Sequence, residues 1–277
     1  MGISVQNTGT LGMRNHLNST NAIVKSSMQK IASGLKLNSA QDDASAYTIS
    51  ISMSAVALSL SRANQNAQTS NAMMSVASGA IGSSVDNLST LKEKLLNAAN
   101  GTNSDSDISA LQKEVDQVTS QLNDNATTTF NGKYLIDGSM NGSNASNVQG
   151  SNGSDAQLSI GDMTAKGLGL QDGNGNSTIN LSSSNGIANA IDLVDTAMQS
   201  ALSQQTQIGA QQQALQYSSD NYTTSEYNTI ASQSTIADAN IAKESMKMHQ
   251  GQVLAQVNLA MMAQSNQNGS SVLALLR

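Results

Sequence analysis

Apolar residues recur along this chain at steps of three and four. Leu17, Val24, Met28, Ile31 and Leu35 keep that spacing, or its sum of seven, near the amino end; Ile49, Met53, Val56, Leu60, Ala63 and Ala67 continue it. Ile108, Leu111, Val115, Val118 and Leu122 form a third series. On the carboxyl side Ile187, Ile191, Val194, Met198 and Ala201 repeat the pattern, and Met246, Val253, Val257 and Ala260 carry it on. A mean step of about 3.5 puts a narrow stripe on one face of a helix and favours left-handed supercoiling with knobs-into-holes packing. An ordinary helical bundle core has the same signature. Stripes sustained through both ends, with turn-forming residues pooled between them, predict a mainly α fold. The expected form is a long antiparallel helical hairpin or coiled-coil bundle with a small β-hairpin region in the middle of the chain.

Punctuating residues place the expected boundaries. A first helix runs from near Ser4 to Ser33 and stops at Gly34, a natural left-handed cap. Ser39, with Asp42 three residues on, resembles a capping box opening a second helix that reaches about Asn100, with Gly79 and Gly82 its weak points. Asn100 to Ser106 reads as a turn, and Ser104 with Asp107 repeats the capping pattern before a helix to about Asn125. From Phe130 to Asn185 the period vanishes and Gly, Asn and Ser dominate. Short β-like runs appear at Tyr134 to Ile136, Leu158 to Ile160 and Thr178 to Leu181, while Asn141 to Ser154 reads as exposed loop. Helix resumes near Ile187, with a break expected at Tyr217 to Ser225 or Ala237 to Asn240, and runs to about Ser265. Val272 to Leu276 forms a small apolar end.

Composition narrows the chemistry. The 277 residues include one Phe, five Tyr and no Trp, so burial must come from many shallow contacts among Ala, Leu, Ile, Val and the thirteen Met. The absence of Pro leaves long helices uninterrupted. With no Cys there are no disulfides and no thiolate chemistry, and the redox compartment stays open. A net charge of −6 from only 12% charged residues gives no basic footprint for nucleic acid or an anionic membrane. No stretch is expected to be long and apolar enough to span a bilayer, and Met1 to Arg14 lacks the charged and apolar regions of a cleaved secretory signal.

Candidate catalytic and ligand constellations are weak. His16 and His249 lie far apart in the sequence with no clustered carboxylate to complete a metal site. Asp172-Gly173-Asn174-Gly175-Asn176 imitates the start of a calcium loop but has Ser183 at the twelfth position, so a plain turn is expected. Gly167-Leu168-Gly169 is too short for a phosphate cradle, and Asp42 with Asp43 suits a helix N-terminus. The reading is of a protein that is not an enzyme, with no catalytic, cofactor-binding or metal residues and no cofactor.

Four ordered segments resemble the bacterial flagellin family. Lys30-Ile31-Ala32-Ser33-Gly34-Leu35-Lys36-Leu37-Asn38-Ser39-Ala40-Gln41-Asp42-Asp43-Ala44 is similar to the family's amino-terminal signature. Thr129-Phe130-Asn131-Gly132 resembles the end of its outer-core helices, and Asp162 through Leu170 its aspartate-methionine, alanine-lysine, leucine-glycine-leucine segment. Ala237 through Glu244 and the closing Val272 to Arg277 resemble its carboxyl end.

The resemblance implies a subunit that polymerises into the extracellular flagellar filament for swimming motility, exported unfolded through the flagellar type III channel. Its implied partners are copies of itself, an export chaperone and the filament cap, with no nucleic acid and no membrane. Residues 1–42 and 237–277 are expected to pair as the inner-core coiled coil. Residues 43–236 form the outer core, with hairpins at about 130–185 and no separate outer domains. Leu17, Val24, Met28, Ile31, Val253, Val257 and Met261 are the expected inner-core assembly seam. The segment gripped by the family's Toll-like receptor maps to Leu88, Thr90, Leu91, Glu93 and Leu95, with Glu114 a second acidic contact. Thr90 stands where family members commonly carry arginine, Ala214 and Thr235 replace further arginines, and Gly269 replaces a proline, so receptor recognition is expected to be weakened. The alternative is a hook-filament junction protein, which would have a larger unrelated middle. A chemoreceptor signalling hairpin would need a membrane span and leaves the β-rich middle unexplained.

Overall fold

The computed structural model describes residues 8–151 and 155–275. The expected helix start at Ser4, residues 152–154 of the expected loop, and Leu276 lie outside that range. Among the described residues the chain is mainly α, with five α-helices, one short 3-10 turn (Gly142–Asn144) and two antiparallel strand pairs. Helices α1 (Thr8–Ser33), α2 (Ala44–Ala98) and α3 (Asp105–Ala126) precede β1 (Thr129–Phe130), β2 (Lys133–Tyr134), β3 (Ser146–Gln149) and β4 (Asp155–Leu158); α4 (Ser184–Ala237) and α5 (Ile241–Leu275) follow. Packing divides the chain into two compact units, Met1–Ala57 with Tyr227–Arg277, and Leu58–Glu226.

Within the second unit, the burial pattern of α2 from Leu58 onward shows why these residues form one continuous helix. Leu60, Ala67, Met74, Ile81, Leu88 and Leu95 recur every seven residues and are all buried, as are Ala77, Ser84, Leu91 and Ala98 between them. Gly79 and Gly82 do not break the helix; neither has a neighbour within 4 Å of where a side chain would begin. On α4 the matching layer is Ile187, Val194, Ala201, Ile208 and Leu215. The two helices run antiparallel, linked by Lys92 Nζ to Asp195 Oδ1 at 2.5 Å, Gln212 Nε2 to Ser75 Oγ at 3.0 Å and Asn64 Nδ2 to Thr223 Oγ1 at 3.2 Å. Helix α3 adds Leu111, Val115 and Leu122 to the same core. Its start is the expected capping box: Asp107 N donates to Ser104 Oγ at 3.3 Å while Ser104 N donates to Asp107 Oδ2 at 2.9 Å.

The irregular middle is a core segment with little regular structure. The β1–β2 hairpin turns on Asn131 and Gly132, with φ of +50° and +76°, the paired left-handed residues a two-residue hairpin needs. Leu135, Ile136, Leu158, Ile160, Ile179 and Leu181 are buried, yet only Leu158 lies in a strand. Those runs therefore signalled burial more than pairing: of the expected strands, Tyr134 to Ile136 is paired only at Tyr134 in β2, Leu158 to Ile160 only at Leu158 in β4, and Thr178 to Leu181 forms none. Asn141 to Ser154 also differs from the loop expected: β3 forms inside it and buries Val148 against the core. Asp162 fixes the next turn by accepting from Thr164 N and Oγ1 at 2.9 and 2.6 Å, and Asn123 of α3 clamps it by accepting from Ala165 N at 2.9 Å.

Other expectations shift at helix ends. Asp42 Oδ2 accepts from Asn38 N and Ser39 N, both at 3.0 Å, so Ser39 belongs to the connecting loop. Asp43 caps α2 instead, accepting from Ala46 N at 3.0 Å. Helix α4 runs unbroken through Tyr217 to Ser225, the break falls at Asp238 to Asn240, and α5 continues past Ser265. One 18-residue window of α2 is long and apolar enough, by length and composition alone, to cross a membrane, which corrects the expectation that no stretch is. In the first part of α2 Ile49, Ile51, Val56 and Leu58 stand exposed among serines and alanines, and these large aliphatic side chains raise the average. Eighteen residues is near the lower end of what spans a bilayer.

Candidate assembly surface

In the first unit α1 and α5 lie antiparallel, tied by Ser27 Oγ donating to Glu244 Oε2 at 3.0 Å and by Asn258 Nδ2 near Thr20 Oγ1 at 3.5 Å. Among the described residues no other helix pair brings its backbones so close. The facing residues explain the approach. On α1, Leu17, Val24 and Ile31 alternate with Thr20 and Ser27; on α5, Met248, Ala255 and Met262 alternate with Glu244, Gly251 and Asn258. Both sets recur every seven residues, but one layer of each is small or polar. A Cβ on Gly251 would lie 2.6 Å from Val24 Cγ2, and a β-branched valine in a helix has little freedom to yield. Glycine is what lets the helices meet.

Glu244 is buried in this interface, 8% exposed, and its carboxyl is held below the usual range. The main cause is the hydrogen bond from Lys247 Nζ at 2.8 Å, opposed by burial and aided by the Ser27 hydroxyl and the Lys30 charge. The loops that enter and leave are also joined: Lys36 N donates to Ala237 O at 2.7 Å, Ala239 N donates to Gly34 O at 2.9 Å, and Gly34 has the expected left-handed φ of +72°.

The expected seam residues separate into two groups. Leu17, Val24 and Ile31 face α5 and are half-buried, whereas Met28, Val253, Val257 and Met261 point outward, about half of each exposed. The seven residues do not form one stripe within the chain. Ile23, Leu254 and Leu259 join the outward set, and a groove of about 610 Å³ runs beside Ile23, Ser26, Gly251 and Leu254. The sequence reading passed over Thr20, Ser27, Glu244, Gly251 and Asn258 because it followed large apolar residues. Their own seven-residue spacing was the signal available.

The expected receptor segment also separates. Leu88, Leu91 and Leu95 are fully buried in the second unit's core and have no surface to offer a partner, which corrects their place in a contact set. Thr90, Glu93 and Glu114 are exposed. Thr90 Oγ1 donates to Asp86 O at 3.0 Å, and Glu114 pairs with Lys94 at 2.7 Å, which raises the Lys94 ammonium above its ordinary value. Elsewhere, Asp172 accepts from Asn174 N and Asn176 N at 2.9 and 2.8 Å, forming a turn. Among the described residues no three His, Asp or Glu are grouped as metal ligands.

Comparisons with known proteins give the arrangement a family. A model of the bacterial flagellin N-terminal helical region matches residues 5–141, and one of the C-terminal helical region matches residues 191–276. The flagellar filament 33 kDa core protein of Treponema phagedenis is 31% identical over 271 residues, covering 94% of this chain and 95% of that protein. A flagellin of Bacillus subtilis (strain 168) is 30% identical over 299 residues, covering 98% of each. A solved structure from Vibrio parahaemolyticus described as a flagellar hook-associated protein matches with a TM-score of 0.60 and 16% identity, over 71% of this chain and 100% of that one; that likeness concerns the fold alone. Matched at both helical ends and aligned with relatives along nearly its whole length, this chain belongs to the bacterial flagellin family of structural proteins.

Proposed function

We propose that this chain is the subunit of a flagellar filament, a helical homopolymer outside the bacterial cell that serves swimming motility. The observation that carries the reading is the outward apolar face of α1 and α5: Met28, Val253, Val257 and Met261, with Ile23, Leu254 and Leu259 beside them. Full burial of one such side chain contributes about 1.5–3 kcal/mol, and each copy repeats the set. Residues 1–42 and 237–277 form the inner core of the polymer and residues 43–236 its outer core, with no separate outer domains. The closeness of α1 to α5 leaves the outward-facing large side chains to neighbouring copies. A weakly held terminal pair also suits export as an unfolded chain through the flagellar type III channel, escorted by a chaperone and folded beneath the filament cap. The exposed Thr90, lacking an arginine's bidentate charge, supports weakened recognition by a Toll-like receptor.

The test is seeded growth followed by negative-stain microscopy. The unsubstituted chain should extend seeds into helical filaments of a single polypeptide; discrete or capped oligomers would favour a hook-filament junction protein. Val257→Asp should abolish growth while the helical signal of the second unit persists. Normal filaments from that variant would overturn the assignment of this face to assembly.

A further inference from the structure

The sequence holds seven Asn-Gly pairs, at 100, 131, 141, 152, 174, 185 and 268 by the asparagine number. Glycine after asparagine leaves the following amide nitrogen unhindered, so each pair is chemically able to cyclise. The fold sorts them. Gly186 N donates to Ser183 Oγ at 3.1 Å and Gly175 N donates to Asp172 O at 3.1 Å, so both nitrogens are engaged. Asn268 and Gly269 lie within α5, where the helix ladder fixes the backbone. Asn131 and Gly132 are locked left-handed in the β1–β2 hairpin. Asn141 accepts from Asn144 N through its carbonyl and from Ser159 Oγ through its side chain, which ties it to a neighbouring segment. The pair at 152 lies outside the described residues.

Asn100 shares an accepting carbonyl and an accepting side chain with Asn141, but its side-chain partner, Thr102, lies inside the same turn and does not anchor it to another segment. Asn100 sits exposed in the turn between α2 and α3, and among the described residues no acceptor meets the Gly101 N–H. Thr102 N donates to Asn100 Oδ1 at 3.4 Å. That bond folds the side chain back over the residues that follow it, within the same turn as the Gly101 nitrogen. It also points a donor at the oxygen that gains negative charge when the nitrogen attacks, the role of an oxyanion-stabilising amide.

We propose that Asn100 is a site of spontaneous deamidation and isoaspartate formation built into the α2–α3 turn. The Gly101 nitrogen, losing its proton to solvent base, forms a bond to Asn100 Cγ; the Cγ–Nδ2 bond breaks and ammonia leaves, giving a succinimide. Water then opens the ring at Cγ to give aspartate, or at the main-chain carbonyl to give isoaspartate, with no change in oxidation state. Either product places a carboxylate just past the C-terminus of α2, where the helix dipole is unfavourable to anions. Isoaspartate also lengthens the main chain where Asn103 N donates to Asn100 O at 3.2 Å and Asn103 Nδ2 to Asn97 O at 2.6 Å. The turn therefore loosens with the age of the molecule.

The test is peptide mapping by mass spectrometry of the full-length chain aged in warm, mildly alkaline buffer, run in parallel in denaturant. In denaturant the Asn-Gly pairs should convert at similar rates. In the folded chain Asn100 should keep that rate or exceed it, while the pairs at 131, 141, 174, 185 and 268 slow by roughly tenfold or more. Gly101→Ala, which has open space for its side chain, should slow conversion at Asn100 by about tenfold and leave the helical signal unchanged. Protection of Asn100 in the folded chain, faster conversion at any of those five pairs, or an undiminished rate in Gly101→Ala would overturn the proposal.

Discussion

At the scale of residues, side-chain size decides which surfaces close within the chain and which stay open. Gly251 brings α5 onto Val24, and Ser27 and Thr20 do the same from α1, while Val253 and Val257 on the same helix point away. Glycines in the middle segment act through the same steric rule. Asp162 is wedged between Gly138 and Gly167; a Cβ on Gly167 would come within 2.2 Å of Asp162 Cγ. Its carboxylate cannot swing aside without losing the bonds from Thr164 N and Oγ1. Gly167→Ala should therefore destabilise the second unit by about 1–3 kcal/mol, read as a lowered thermal midpoint by circular dichroism. An unchanged midpoint would mean that the Asp162 turn relaxes freely.

At the scale of elements, the sequence carried the helices well and the strands poorly. A seven-residue apolar period kept from Leu60 to Leu95, as in α2, has no plausible alternative to a helix, and Ser104 with Asp107 marked the start of α3 in advance. Ser104→Ala removes one half of that capping box and should cost about 1 kcal/mol, seen as faster amide exchange in the first turn of α3. Exchange unchanged in that turn would show that Asp107 suffices. The middle segment was illegible for a physical reason: Leu135, Ile136, Ile160 and Leu181 are held in the core by turns and single backbone bonds, such as Met163 N to Ile136 O at 2.8 Å, which leave no period to read. The face of α5 that meets α1 went unseen for a similar reason. A search for large apolar residues finds Val253 and Val257, whereas the face that meets α1 consists of Glu244, Met248, Gly251, Ala255 and Asn258.

At the scale of the whole molecule, the two units distribute their apolar residues in opposite ways. The Leu58–Glu226 unit buries Met74, Ile81, Leu88, Leu91, Leu95 and Ile208 completely and has a core of its own. The terminal unit places small or polar residues in every second layer where α1 meets α5 and leaves Met28, Val253, Leu254, Val257 and Met261 open. A chain that only had to fold by itself would gain from the reverse order; a chain that must polymerise gains from this one. Because the sequence contains no cysteine, a single thiol can report on that face directly. Maleimide labelling of Val257→Cys, compared between the free chain and seeded filaments, is the most direct measurement. The account predicts rapid labelling of the free chain and a rate lower by about tenfold or more in the filament. Equal rates in the two states would contradict it.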